Sequence, residues 1–131
     1  MKLEGGNVLG VGVDLTEVAR IRSAHAKHGQ AFLDKVFTPA EQALCLAKAD
    51  PYPSLAARFA AKEAASKAFG TGLGADLLLT SVAVLHGELD APRVELDDKG
   101  RALLARLGGT RLLVSLTHTD DLAQAFAVLV R

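Results

Sequence analysis

The sequence holds one cysteine, no tryptophan and four prolines, and aromatic residues fill only 5% of its 131 positions. A lone Cys45 rules out a disulfide framework or a thiolate metal site within one chain. Its place in a helical pattern makes it a small buried apolar residue. An excess of one charge sign is also missing, because fifteen Lys and Arg balance fifteen Asp and Glu. No global field therefore advertises nucleic acid or a membrane as partner. The apolar runs fall far short of the ~20 residues that a membrane span needs. The start lacks the apolar run of a signal peptide, since Lys2 and Glu4 are followed by Gly5 and Gly6. Repeats, linkers and low-complexity segments are absent. These absences lead to the expectation of a soluble cytoplasmic protein.

What is present is a hydrophobic half and a charged 23%, the composition of an ordered chain. The length suits a single domain over 1–131 with a sizeable core. Residues 8-VLGVGVDL-15 read as a strand whose Gly10 and Gly12 weaken it unless another backbone or a ligand comes close. A helix follows over 16–29, with Asp14 or Thr16 as its cap and Gly29 as its stop. The run 38-TPAE-41 forms a capping box at the head of a second helix, with Thr38 as N-cap, Pro39 at N1 and Glu41 at N3. The turn 50-DPYPS-54 leads to a long helix over 55–69, capped by Ser54 and ended by Gly70. Strands are expected over 80–85 and 93–96, a short helix over 99–107, and a hairpin of strands 111–117 and 122–130 around 118-HTDD-121. Early helices and late strands predict an α+β fold, an antiparallel sheet with a long buried helix.

The long helix carries the densest chemistry. At about 100° per residue, Arg58, Lys62 and Ser66 step along one line, and Glu63 and Lys67 pair four apart on the same half of the surface. Alanines fill the other half. The plain reading is an amphipathic helix with an ordinary surface bridge between Glu63 and Lys67. Against it, Phe59 falls inside the charged arc, and the preceding turns offer no acid to balance Arg58 and Lys62. Three cations and one acid on a partly shielded face suit an anion with a metal beside it. Asp14 is open to two roles, helix cap or hard-cation ligand. With Glu63 it would satisfy Mg²⁺, which takes one or two protein carboxylates and completes its shell with water and phosphates. The loop 70-GTGLG-74 follows a helix instead of preceding one, so Gly70 and Gly72 read first as a C-cap and second as a close backbone approach to a ligand. His118 sits at a hairpin beside the hydroxyls of Ser115, Thr117 and Thr119. It reads as a structural turn residue or as a phosphate donor.

The stretches 10-GVGVDLTEVARI-21, 58-RFAAKEAASKAFGTGLG-74 and 115-SLTHTDDLAQAFAV-128, with the box 37-FTPAE-41, resemble the holo-acyl-carrier-protein synthase family of small 4′-phosphopantetheinyl transferases. Order and spacing agree over nearly the whole chain, and only 87-GELDAPRVELDDKG-100 fails to map. The resemblance implies that Asp14 and Glu63 bind Mg²⁺ with the pyrophosphate of coenzyme A and that Lys67 steadies phosphate charge. It implies that Arg58, Lys62 and His118 lie along the coenzyme phosphates, with Thr119, Gly70 and Gly72 beside them. Arg20 falls at the basic helix position that grips the acidic helix of acyl carrier protein. Glu63 would take the proton of the acceptor serine, directly or through a metal-bound water. The family also implies a homotrimer with sites between neighbours, in which His118 and Asp14 come from other chains than the 58–74 segment.

Overall fold

A computed structural model describes residues 6–131. Lys2, Glu4 and Gly5, on which the signal-peptide argument rests, lie outside the described residues. The chain begins with strand β1 (Val8–Glu17) and continues through helices α1 (Val18–His28), α2 (Gln30–Val36), α3 (Pro39–Leu46) and α4 (Tyr52–Phe69). A hairpin, β2 (Val82–His86) and β3 (Pro92–Leu96), precedes α5 (Asp98–Arg106) and the strands β4 (Arg111–His118) and β5 (Leu122–Val130). The expected α+β class is observed. A three-stranded antiparallel sheet runs in the order β1-β5-β4, and the β2-β3 pair forms a second, smaller one. Among the described residues, no helix is long and apolar enough to cross a membrane.

Helix α4 lies across the larger sheet because both surfaces are built from small residues. Ala60, Ala61, Ala64, Ala65 and Ala68 meet Ala125, Ala127 and Leu129 of β5 in one core. Against β1 the approach is closer still. A Cβ on Gly10 would stand 2.0 Å from the Ala68 carbonyl oxygen, and one on Gly12 2.0 Å from that of Ala64. The close approach foreseen for these glycines is made by a backbone. A second core joins Val18 and Ile21 of α1 with Leu33, Phe37, Cys45, Leu55 and Phe59.

Several boundaries differ from expectation. Strand β1 runs on to Glu17, because every residue from Gly10 onward stays paired with β5. Neither Asp14 nor Thr16 therefore caps α1; the Val18 amide donates instead to the Asp121 carbonyl at 2.9 Å. Helix α2 was not foreseen, being only seven residues long and lacking a side-chain cap. Helix α4 starts at Tyr52, so Ser54 lies inside it, with Pro51 as its N-cap and Pro53 in its first turn. The Thr38–Glu41 capping box forms as expected, with reciprocal bonds of 3.0 and 3.3 Å.

Candidate active site

The tight β1–α4 seam brings the first group of expected site residues together. Strand β1 advances toward the N-terminal end of α4, with Gly10 opposite Ala68 and Gly12 opposite Ala64. Asp14 is the next residue on that strand face. Lys67, one turn beyond Glu63, leans back across the seam. Its Nζ donates to the Val13 carbonyl at 2.8 Å and stands 3.4 Å from the Asp14 carboxylate. The other Asp14 oxygen accepts from the Thr16 hydroxyl at 3.0 Å. Lys67 thus bridges to Asp14, and the expected surface pair with Glu63 does not form. Glu63 is half-buried and its side chain makes no hydrogen bond among the described residues. The Asp14–Lys67 contact is made within one chain.

A second group gathers on the other flank of α4. Arg58 and Lys67 are nine positions apart, which at about 100° per residue turns them to opposite sides of the helix. The Arg58 side chain is buried, with Nε donating to the Val84 carbonyl at 3.0 Å and Nη1 to the Ser54 carbonyl at 3.3 Å. Arg58 and His118 line one open pocket of about 180 Å³ with Lys48 and His86. Such a volume falls below the ~300–1,000 Å³ of a complete small-molecule site. Lys48 donates to the Ser54 hydroxyl at 2.7 Å. Sequence reading passed over Lys48 and His86, since no local pattern ties either one to Arg58. Thr119 stands at the turn next to His118, where its hydroxyl accepts from the Asp121 and Leu122 amides at 3.2 and 3.1 Å.

The structure does not bring Lys62 to either group. It is fully buried, and its Nζ donates to Glu41 Oε1 at 2.7 Å, the Leu79 carbonyl at 3.0 Å and the Val82 carbonyl at 2.5 Å. Burial pushes its pKa down from the ordinary lysine value, while the Glu41 carboxylate pulls it back up. Three acceptors match the three protons of an ammonium, so Lys62 is a charged strut of the core. Its missing counter-charge is Glu41, which was legible only as a capping residue. Gly70 and Gly72 take φ values of +81° and +67°, and both amides donate to the Ser66 carbonyl. They close the end of α4, as the C-cap reading expected. Arg20 is exposed on α1, its guanidinium carbon 5.1 Å from the centre of the Phe59 ring. Phe59 therefore occupies the charged arc as a platform for that arginine.

A family model described as the 4′-phosphopantetheinyl transferase superfamily matches residues 10–127. The chain belongs to this superfamily. It is 45% identical over 121 residues to the holo-[acyl-carrier-protein] synthase of Chlamydia muridarum, covering 92% of this chain and 94% of that one. The crystal structure of the synthase from Neisseria meningitidis superposes with a TM-score of 0.87 at 32% identity, covering 93% and 98% of the two chains. The Helicobacter pylori synthase in complex with coenzyme A gives 0.80 at 28%, covering 91% and 98%.

For a phosphopantetheinyl transferase the two flanks differ usefully. The β1 flank offers carboxylates with one lysine, and the β4 flank offers cations and imidazoles. Between them lies β5, so the flanks are separated by two strand spacings, roughly 9–10 Å.

Proposed function

We propose that this chain transfers the 4′-phosphopantetheine arm of coenzyme A to a serine of apo acyl carrier protein, releasing 3′,5′-ADP. The serine oxygen forms a new bond to the β-phosphorus of coenzyme A, and the bond from that phosphorus to the bridging oxygen of the α-phosphate breaks. Such transfer is chiefly positioning and charge neutralisation. Lys67 steadies phosphate charge on the β1 flank, and Arg58 and His118 hold coenzyme phosphate on the β4 flank. Glu63, a half-buried carboxylate whose side chain makes no hydrogen bond among the described residues, takes the serine proton.

The donor set also fits Mg²⁺. Among the described residues no group of three or more His, Cys, Asp or Glu converges, so the protein's share would be at most the two carboxylates of Asp14 and Glu63. That is the share Mg²⁺ takes from protein when substrate phosphates and water supply the remainder. When bound there, the ion neutralises pyrophosphate charge. The working unit is a homotrimer in the cytoplasm, serving fatty acid biosynthesis. The outer face of the larger sheet supports the assembly, since Val13, Leu15, Leu113 and Phe126 are all exposed on it.

The observation that carries the reading is the reach of Lys67 across the seam to Asp14, which joins two distant family motifs in one place. Incubation with an apo acyl carrier protein, coenzyme A and Mg²⁺ is expected to add the mass of the phosphopantetheine arm to one serine. EDTA should stop the addition and excess Mg²⁺ restore it. No mass shift with several carrier proteins would overturn the assignment.

A further inference from the structure

Strand β2 is paired along one edge only, by β3. Among the described residues no strand covers its other edge, yet Val82, Ala83 and Val84 are all buried. The backbone groups on that edge must therefore find side chains instead. Three supply them. Lys62 Nζ donates to the Val82 carbonyl at 2.5 Å, and Arg58 Nε donates to the Val84 carbonyl at 3.0 Å. The Val84 amide donates to Glu41 Oε2 at 2.9 Å. The spacings match, since one helical turn separates Arg58 from Lys62 by about 6 Å and two strand residues separate Val84 from Val82 by about 6.6 Å. Glu41 reaches in from α3, and its other oxygen accepts from Lys62 at 2.7 Å. Arg58 also has an outer end. Its Nη1 donates to the Ser54 carbonyl at 3.3 Å, whereas Nη2 makes no hydrogen bond among the described residues. No buried side-chain nitrogen or oxygen there lacks a partner, so Nη2 is the accessible end of the group. It serves the pocket that Arg58 shares with His118 and with His86, the last residue of β2.

Resting on the reading of Arg58 as a ligand of coenzyme phosphate, we propose that Glu41 is a positioning residue for coenzyme A, acting through Val84. The carboxylate holds Val84 from its amide side, and the Val84 carbonyl holds the guanidinium. A guanidinium fixed by two carbonyls presents its outer edge already oriented, and it loses less freedom when phosphate arrives. The buried pair of Glu41 and Lys62 thus reaches the coenzyme pocket without touching it.

The test is steady-state transfer at varied coenzyme A concentration, with folding followed by urea unfolding. Glu41→Gln leaves a single acceptor oxygen for both Lys62 and the Val84 amide, so β2 loses a tie. It is expected to raise KM for coenzyme A roughly five- to thirtyfold, with kcat and the carrier-protein KM within about twofold of the parent. In an Arg58→Gln background the same change should add less than about twofold, because the group that it positions is gone. Equal losses in the two backgrounds would make Glu41 merely structural and overturn the proposal. Glu41→Gln strands a buried ammonium, so Glu41→Met combined with Lys62→Met gives a second variant in which neither charge is left alone. That variant should unfold cooperatively and show a similar rise in KM; a parent-like KM would sink the positioning role. The parent protein, isotope-labelled at its arginine nitrogens, offers a readout that needs no variant. Its Arg58 Nε–H should resist exchange with water before and after coenzyme A is added, since Nε stays on β2. Loss of that protection on binding would mean that Arg58 leaves the strand, and the proposal would fall. Arg58→Gln separates the proposal from its basis. If it leaves KM for coenzyme A unchanged, the reading of Arg58 fails; if it raises that KM while Glu41→Gln does not, the role of Glu41 fails.

Discussion

Lys62 shows how a residue can look functional along the chain and be structural in the fold. Its neighbours in 62-KEAASK-67 point to water or to a site, yet it meets Glu41 inside the core with neither side chain exposed. Glu41 in turn closes the cap of α3, holds Lys62 and accepts from the Val84 amide at 2.9 Å, so one carboxylate ties together α3, α4 and β2. Removing one partner strands the other as a buried charge. Lys62→Met is therefore expected to cost about 3–5 kcal/mol in urea unfolding. A phosphate-binding lysine would leave the unfolding midpoint alone and weaken coenzyme A instead, so measuring both separates the two roles. Glu63, a single position later, should respond in the opposite way. Glu63→Gln is expected to keep its unfolding midpoint within ~0.5 kcal/mol of the parent. It should lower kcat by roughly 10²–10⁴-fold as the base for the serine is lost.

The elements owe their placement to contrasts in side-chain size. Gly12→Ala would drive a methyl group into the Ala64 carbonyl, and neither backbone can yield without parting strand from helix. We expect it to destabilise by at least ~1–3 kcal/mol in thermal unfolding. It should also cut transfer activity, because the same seam sets Lys67 against Asp14. The same substitution beyond the end of α4, Gly72→Ala, meets no neighbour within 4 Å and should show only the cost of a side chain at positive φ. Such local features were open to sequence reading. The Thr38–Glu41 box, the Gly70 stop and the demand for a close approach at Gly10 and Gly12 each follow from a few adjacent residues. What escaped it depends on distant partners. Glu41 and Lys62 lie 21 positions apart, and Arg58 and His118 meet only after β4 has closed the sheet. The strand end at Glu17 was hidden too, since its pairing with Leu122 spans almost the whole chain.

Taken as a whole, the molecule presents two separate groups of candidate site residues and an apolar sheet face exposed in the single chain. The outer face carries Leu15 at 60% exposure and Phe126 at 46%, beside Val13 and Leu113. A second copy seated on it would hide these side chains and bring the β1 flank of one chain toward the β4 flank of the next. Phe126→Asp should then shift the sedimentation mass from trimer to monomer and abolish transfer, although the residue touches neither group. A sharper consequence follows from the division of labour. If each site takes Glu63 from one subunit and His118 from its neighbour, two inactive variants can repair one another. Glu63→Gln and His118→Ala subunits, each inactive alone, would be unfolded together in equal amounts and refolded as mixed trimers. An interface works only when the subunit giving residue 63 is the His118→Ala chain and the one giving residue 118 is the Glu63→Gln chain. Random assembly in a closed ring yields that pairing in about one interface of four. Transfer activity should accordingly return to about a quarter of the parent value, whereas sites complete within one chain would give none.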